Sequence, residues 1–172
     1  MSLLKQITWF AAFLGAHVVS AGSAHAADIG GTISSTLTIT EDSQLVDDVS
    51  CTVTGAPCIA IAAPHETLEL NGFTMTGQGD PKTGCAGAST ANEFGIAVNN
   101  GQTDVTIHGP GLVQQFRNQG IILNNSTRTR VIGATTSTNC SSGIIVVGGS
   151  ENELYGNISL LNGLLTAPCG GI

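Results

Sequence analysis

The sequence predicts an all-β chain wound as a single-stranded β-solenoid of about four rungs, and three observations carry that prediction. The phrase Gly95-Ile96-Ala97-Val98 returns as Gly120-Ile121-Ile122-Leu123 and as Gly143-Ile144-Ile145-Val146, at spacings of 25 and 23 residues. A second column keeps the same register: Val105-Thr106-Ile107-His108-Gly109, Arg130-Val131-Ile132-Gly133 and Leu154-Tyr155-Gly156 place their glycines 24 and 23 residues apart. Between the columns, short runs of Ile, Val and Thr are cut by Gly, Asn or Ser, which is strand-and-turn chemistry and not helical periodicity. A unit of this size cannot bury an apolar face alone and has to stack on its neighbours. Stacking pairs each strand in parallel with its equivalents above and below.

Each repeated position then has a physical meaning. Ile59, Ile96, Ile121 and Ile144 are expected to form an interior aliphatic stack, which Cys58-Ile59-Ala60-Ile61 starts and Gly171-Ile172 would continue. Gly95, Gly120 and Gly143 relieve crowding where the chain turns into the strand. Asn139 and Asn162, 23 residues apart, belong at one stacked turn, where Asn tolerates left-handed backbone and its amide can bond the next rung.

Residues 1–26 read as a secretory signal. Lys5 supplies the positive start, Ile7 to Val19 the apolar stretch, and Ala24-His25-Ala26 a small-x-small cleavage site. The apolar run is too short for a spanning helix, so the expectation is a secreted, periplasmic or cell-surface protein without a membrane span. Removing the signal leaves Lys82, Arg117, Arg128 and Arg130 against twelve acidic residues, 4 − 12 = −8, which argues against nucleic acid as partner.

Five cysteines in an exported chain point to disulfides. Cys51 and Cys58 flank Gly55-Ala56-Pro57 and make a local loop. Cys140 and Cys169 each precede a repeated glycine and are the favoured second pair, with Cys85 free; Cys85 with Cys140 is the alternative. No Cys–His spacing resembles a zinc site, and no metal is expected.

Residues 27–57 form an N-terminal leading coil or cap, in which Thr36-Leu37-Thr38-Ile39-Thr40 alternates like a half-buried strand and Glu41 to Ser50 would blunt open strand edges. Rungs follow over residues 58–172. One is lengthened by a Gly/Pro/Ala-rich insertion, residues 77–93, and insertions in repeat proteins become loops on one face, often the binding face. Asp80, Lys82 and Glu93 are therefore the ligand-binding candidates.

The segment Leu68-Glu69-Leu70-Asn71-Gly72-Phe73-Thr74-Met75, with the Gly-Ile-x-Val rungs and the Thr-x-x-Asn turn before Gly143, resembles the right-handed parallel β-helix proteins of the pectate-lyase-like superfamily. The likeness covers residues 36–172. It implies a right-handed parallel β-helix, and it is weak for activity, since the superfamily includes polysaccharide lyases, galacturonan hydrolases, uronan epimerases and non-catalytic surface proteins. A lyase acting on uronates needs calcium or another electrophile on the carboxylate and a base for the C5 proton. Asp104, His108 and Arg117 are the mixed ionisable residues of one coil and the catalytic candidates. Asp104 and His108, four residues apart in extended chain, would lie about 13 Å from each other, too far for contact. The paired Asp and Gly-His-Gly of the hydrolases are missing, because Ile107 precedes His108.

The expected function is a non-catalytic surface or carbohydrate-associated module with a polysaccharide partner and no cofactor. The alternative is a truncated polysaccharide lyase or uronan epimerase, with calcium in that case alone. Because the sequence stops at Gly171-Ile172, two residues into a rung, end-to-end self-association through an open C-terminal rung is a further expectation.

Overall fold

The computed structural model describes residues 26–80, Cys85 and residues 92–163. The expected signal, Lys82, Cys169 and the Gly171-Ile172 pair lie outside the described residues. Among the latter there is no helix. The strands run in chain order as β1 (Ala27–Ile33), β2 (Leu37–Ile39), β3 (Ser43–Cys51), β4 (Ile59–Ile61), β5 (Thr67–Glu69), β6 (Thr74–Thr76) and β7 (Ile96–Val98). They continue as β8 (Thr106–Gln114), β9 (Ile121–Asn124), β10 (Arg130–Ser137), β11 (Ile144–Val147), β12 (Glu153–Tyr155) and β13 (Ile158–Leu160).

Two parallel sheets result. The larger follows the order β1-β3-β5-β8-β10-β12, with β6 beside β3 and β8 and with β13 beside β10; the smaller follows β11-β9-β7-β4-β2. From β2 onward the chain passes back and forth between them, with β5–β6 and β12–β13 as consecutive strands of the larger sheet, so every strand pairs with one from the repeat before or after it.

Register explains the choice of residues. In the smaller sheet Leu37, Ile59, Ile96, Ile121 and Ile144 stand in one column, and from Ile59 onward they are fully buried. In the larger sheet Leu68, Ile107, Val131 and Leu154 form the facing column. The two columns meet in a single apolar core, and each buried aliphatic side chain contributes roughly 1.5–3 kcal/mol. In the larger sheet the flanking strand residues are more exposed, as the period of two gives, whereas Cys58, Ala60 and Ala97 beside the column of the smaller sheet are buried as well.

The stack starts earlier than the expected boundary at residue 58. β1 pairs with β3 and β2 with β4, and Ile29, Ile33, Leu45 and Val49 are buried in the same core. Residues 27–57 are thus part of the sheets, because their apolar residues alternate in phase with those above them.

Gly95, Gly120 and Gly143 are required by close approach. A Cβ on Gly95 would stand 2.5 Å from the Gly120 carbonyl oxygen, and one on Gly120 would stand 2.7 Å from that of Gly143. The asparagine turn bonds the next rung through its amide as expected, but the asparagines are not themselves left-handed. The left-handed residue is the one before each asparagine, Thr138 or Leu161, both at φ 52°. Asn139 is buried and supplies its amide: Oδ1 accepts from Phe116 N at 2.9 Å, while Nδ2 donates to Val113 O and Asn162 Oδ1 at 3.1 and 3.0 Å.

Cys51 and Cys58 are joined, with Cα atoms 6.1 Å apart. The second disulfide joins Cys85 to Cys140, Cα atoms 5.5 Å apart, and not Cys140 to Cys169. Gly79 packs against Phe116 and Cys140, and Cys85 meets Cys140 across 55 residues of sequence. Both cysteines of this bridge are buried.

Candidate functional site

One turn repeats with charged side chains. The dipeptides Thr103-Asp104, Thr127-Arg128 and Ser150-Glu151 stack through bridges between Thr103, Thr127 and Ser150. His65 joins the column one repeat earlier, its amide donating to Thr103 O at 2.9 Å. His65, Asp104, Arg128 and Glu151 all hold left-handed backbone, with φ of 67°, 59°, 52° and 57°. That conformation costs a non-glycine residue about 1–2 kcal/mol. Here it falls four times running on ionisable residues, and strained backbone of this kind gathers at functional sites.

Two residues further on, the strands begin and present a second outward column, Thr67, Thr106, Arg130 and Glu153. A third follows at the next outward position: Glu69, His108, Ile132 and Tyr155. The three columns make a grid whose rungs are separated by about 4.8 Å.

The charges on this grid pair between rungs. Arg128 donates from Nε to Asp104 Oδ1 and from Nη2 to Asp104 Oδ2, each at 2.7 Å. His65 Nδ1 lies 3.7 Å from Asp104 Oδ2, Arg130 Nε lies 3.4 Å from Glu153 Oε2, and His108 Nδ1 lies 2.7 Å from Glu69 Oε2. The fork of Arg128 holds the Asp104 carboxyl down to about 2, below the ordinary 3.8, and the same bonds raise the Arg128 guanidinium. Glu66, beside the column, moves the other way: desolvation raises it, and the nearby Asp42 and Glu41 carboxylates add to the effect.

Asp104, Thr106, Arg128, Arg130, Glu151 and Glu153 line an open cleft of about 340 Å³. Tyr155, 68% exposed, lies outside this lining, two residues beyond Glu153 on the same face of β12. A larger hollow of about 490 Å³ on the outer face of the smaller sheet is lined by Pro57, Phe94, Ile122 and Val147 among asparagines and has no charged side chain to select a ligand.

The sequence candidates separate onto different partners. Asp104 lies in the cleft; His108 is beside it, bonded to Glu69; Arg117 pairs instead with Glu93, its Nε 3.6 Å from Glu93 Oε2. The catalytic trio expected of one coil therefore does not converge. Glu93 is buried at 7% exposure and accepts from Gly55 N at 2.9 Å, so it ties the Cys51–Cys58 loop to the stack and presents no binding surface. Asp80 is exposed on the insertion and lines none of this cleft.

Five residues of the cleft lining escaped the sequence reading: Thr106, Arg128, Arg130, Glu151 and Glu153. The signal was present, since Thr103-Asp104, Thr127-Arg128 and Ser150-Glu151 keep the same distance from Gly109, Gly133 and Gly156. Among the described residues no group of three or more His, Cys, Asp or Glu side chains is arranged to hold a metal ion, and no helix is long and apolar enough to cross a membrane.

Compared with protein-family models, curated proteins and solved structures, the chain matches none of them.

Proposed function

We propose that the chain is an exported right-handed parallel β-helix of the pectate-lyase-like type and that it acts as a non-catalytic, carbohydrate-associated module outside the cytoplasm. The observation that carries this reading is an open cleft lined by the Asp104–Arg128 and Arg130–Glu153 pairs, with exposed Tyr155 two residues beyond Glu153 on the same face of β12. An aromatic ring offers a flat apolar face for a pyranose, while carboxylates and guanidiniums arranged around it meet the ring hydroxyls. The parallel sheets, with repeats of 23 to 26 residues tied by side-chain bonds, support the β-helix assignment. The two disulfides fit an oxidising compartment and support export.

The division of Asp104, His108 and Arg117 among separate partners favours binding over catalysis. A lyase or epimerase reading draws on the same cleft, with an arginine as base, but the calcium it needs finds no cluster of three carboxylates among the described residues. No cofactor enters the module reading. The deciding experiment incubates the purified protein with a panel of soluble polysaccharides and follows retention in affinity electrophoresis together with release of reducing or unsaturated ends. Retention without cleavage supports the module; calcium-dependent cleavage abolished by Arg128→Gln would replace it with the enzyme.

A further inference from the structure

The charge distribution of the cleft narrows its ligand, provided that it is a glycan site at all. We infer that it takes a glycan bearing free amino groups, with the ammonium groups on the Glu151 and Glu153 side and the sugar ring over Tyr155. Carboxylates outnumber guanidiniums in the lining: Arg128 and Arg130 face Asp104, Glu151 and Glu153, 2 − 3 = −1. The surrounding chain is acidic too, with a formal net charge of −7. An open cleft in such a field concentrates cations and repels polyanions.

The two guanidiniums are also engaged. Arg128 spends its fork on Asp104 in two 2.7 Å bonds, and Arg130 lies 3.4 Å from Glu153. A carboxylated sugar that reached the outer N–H groups of either arginine would sit among the carboxylates of Asp104, Glu151 and Glu153. An ammonium instead brings three donors to Glu151 and to Glu153 beside its Arg130 partner. Those two side chains are two residues apart in sequence, Glu151 in the turn and Glu153 at the start of β12, and both line the cleft. The ring of Tyr155 favours the same ligand, because a cation near an aromatic face is attracted by its quadrupole. The Thr106 hydroxyl and the outer N–H groups of Arg130 are left for neutral hydroxyls.

The test titrates the purified protein, by calorimetry or NMR, with three oligosaccharides of equal length: a glucosamine oligomer, its fully N-acetylated counterpart and a galacturonate oligomer. The glucosamine oligomer is expected to bind about fivefold tighter than the N-acetylated form, the contribution of one exposed ion pair. That advantage should vanish as salt rises from about 0.01 M to about 1 M. Glu151→Gln should remove the preference, and Tyr155→Ala should weaken binding of both forms. Galacturonate binding as tight as that of glucosamine overturns the amino-sugar inference and leaves the carbohydrate module standing. Failure of all three oligomers to bind overturns the module reading itself.

Discussion

Asp104 and Arg128 occupy the same turn one repeat apart, both in left-handed backbone, and are joined by two hydrogen bonds of 2.7 Å. Their bridge ties consecutive repeats at the edge of the cleft. The Asp104 carboxyl is depressed from 3.8 to about 2, chiefly by the Arg128 fork. A depressed carboxyl pKa means that the bridge contributes in full above the ordinary value and is lost as pH falls through about 2. NMR titration of the Asp104 carboxyl should therefore give a midpoint near 2 in the native protein. In Arg128→Gln that midpoint should climb back toward the ordinary carboxylate range; an unchanged midpoint would mean that the fork is not what holds it down.

Left-handed backbone on Glu151, at φ 57°, stores strain that glycine would release. Glu151→Gly is expected to change stability by less than about 1 kcal/mol and in the stabilising direction, because relief of strain outweighs the added freedom of the unfolded chain. The same change should weaken binding to the glucosamine oligomer. Urea unfolding read beside calorimetric titration checks both signs, and a clear loss of stability would show that Glu151 is there for the fold.

Much of this architecture was legible in the sequence because it is periodic. Ile96, Ile121 and Ile144 recur at the repeat spacing, and that spacing is the register of the smaller sheet. The upstream limit was hidden because β1 and β3 pair only 16 residues apart, with a register shift between Ile29 and Gly31, so no Gly-Ile phrase marks them. The site was hidden for another reason. Asp104, Arg128 and Glu151 have different chemistry and share only a backbone conformation, which a search for like residues passes over. The Asp104–His108 separation judged one strand in isolation, whereas both side chains find partners on neighbouring rungs, Arg128 above and Glu69 below.

Asn139 makes the strongest polar tie between repeats. Its buried amide serves Phe116 N, Val113 O and Asn162 Oδ1. Asn139→Ala leaves at least two of these groups without a partner in the interior, at a cost of about 1–3 kcal/mol each. Guanidinium unfolding should show a loss of about 2–5 kcal/mol for Asn139→Ala. Asn139→Asp should also destabilise, since a carboxylate cannot donate to the Val113 carbonyl.

The two disulfides differ in the length of chain they close, and their contributions should differ accordingly. Cys51–Cys58 spans 7 residues and Cys85–Cys140 spans 55. Loop-closure entropy gives about 2 kcal/mol for the first and about 4 kcal/mol for the second. Cys85 belongs to the insertion, whose Gly79 packs against Phe116 and Cys140. A Cys85→Ala, Cys140→Ala variant should therefore lose more stability than Cys51→Ala, Cys58→Ala, and its insertion should become the first site of limited proteolysis. Non-reducing peptide mapping comes before either measurement. A peptide linking Cys85 to Cys140 is the expected product, whereas one linking Cys140 to Cys169 would return the pairing to the order that rung spacing alone suggested.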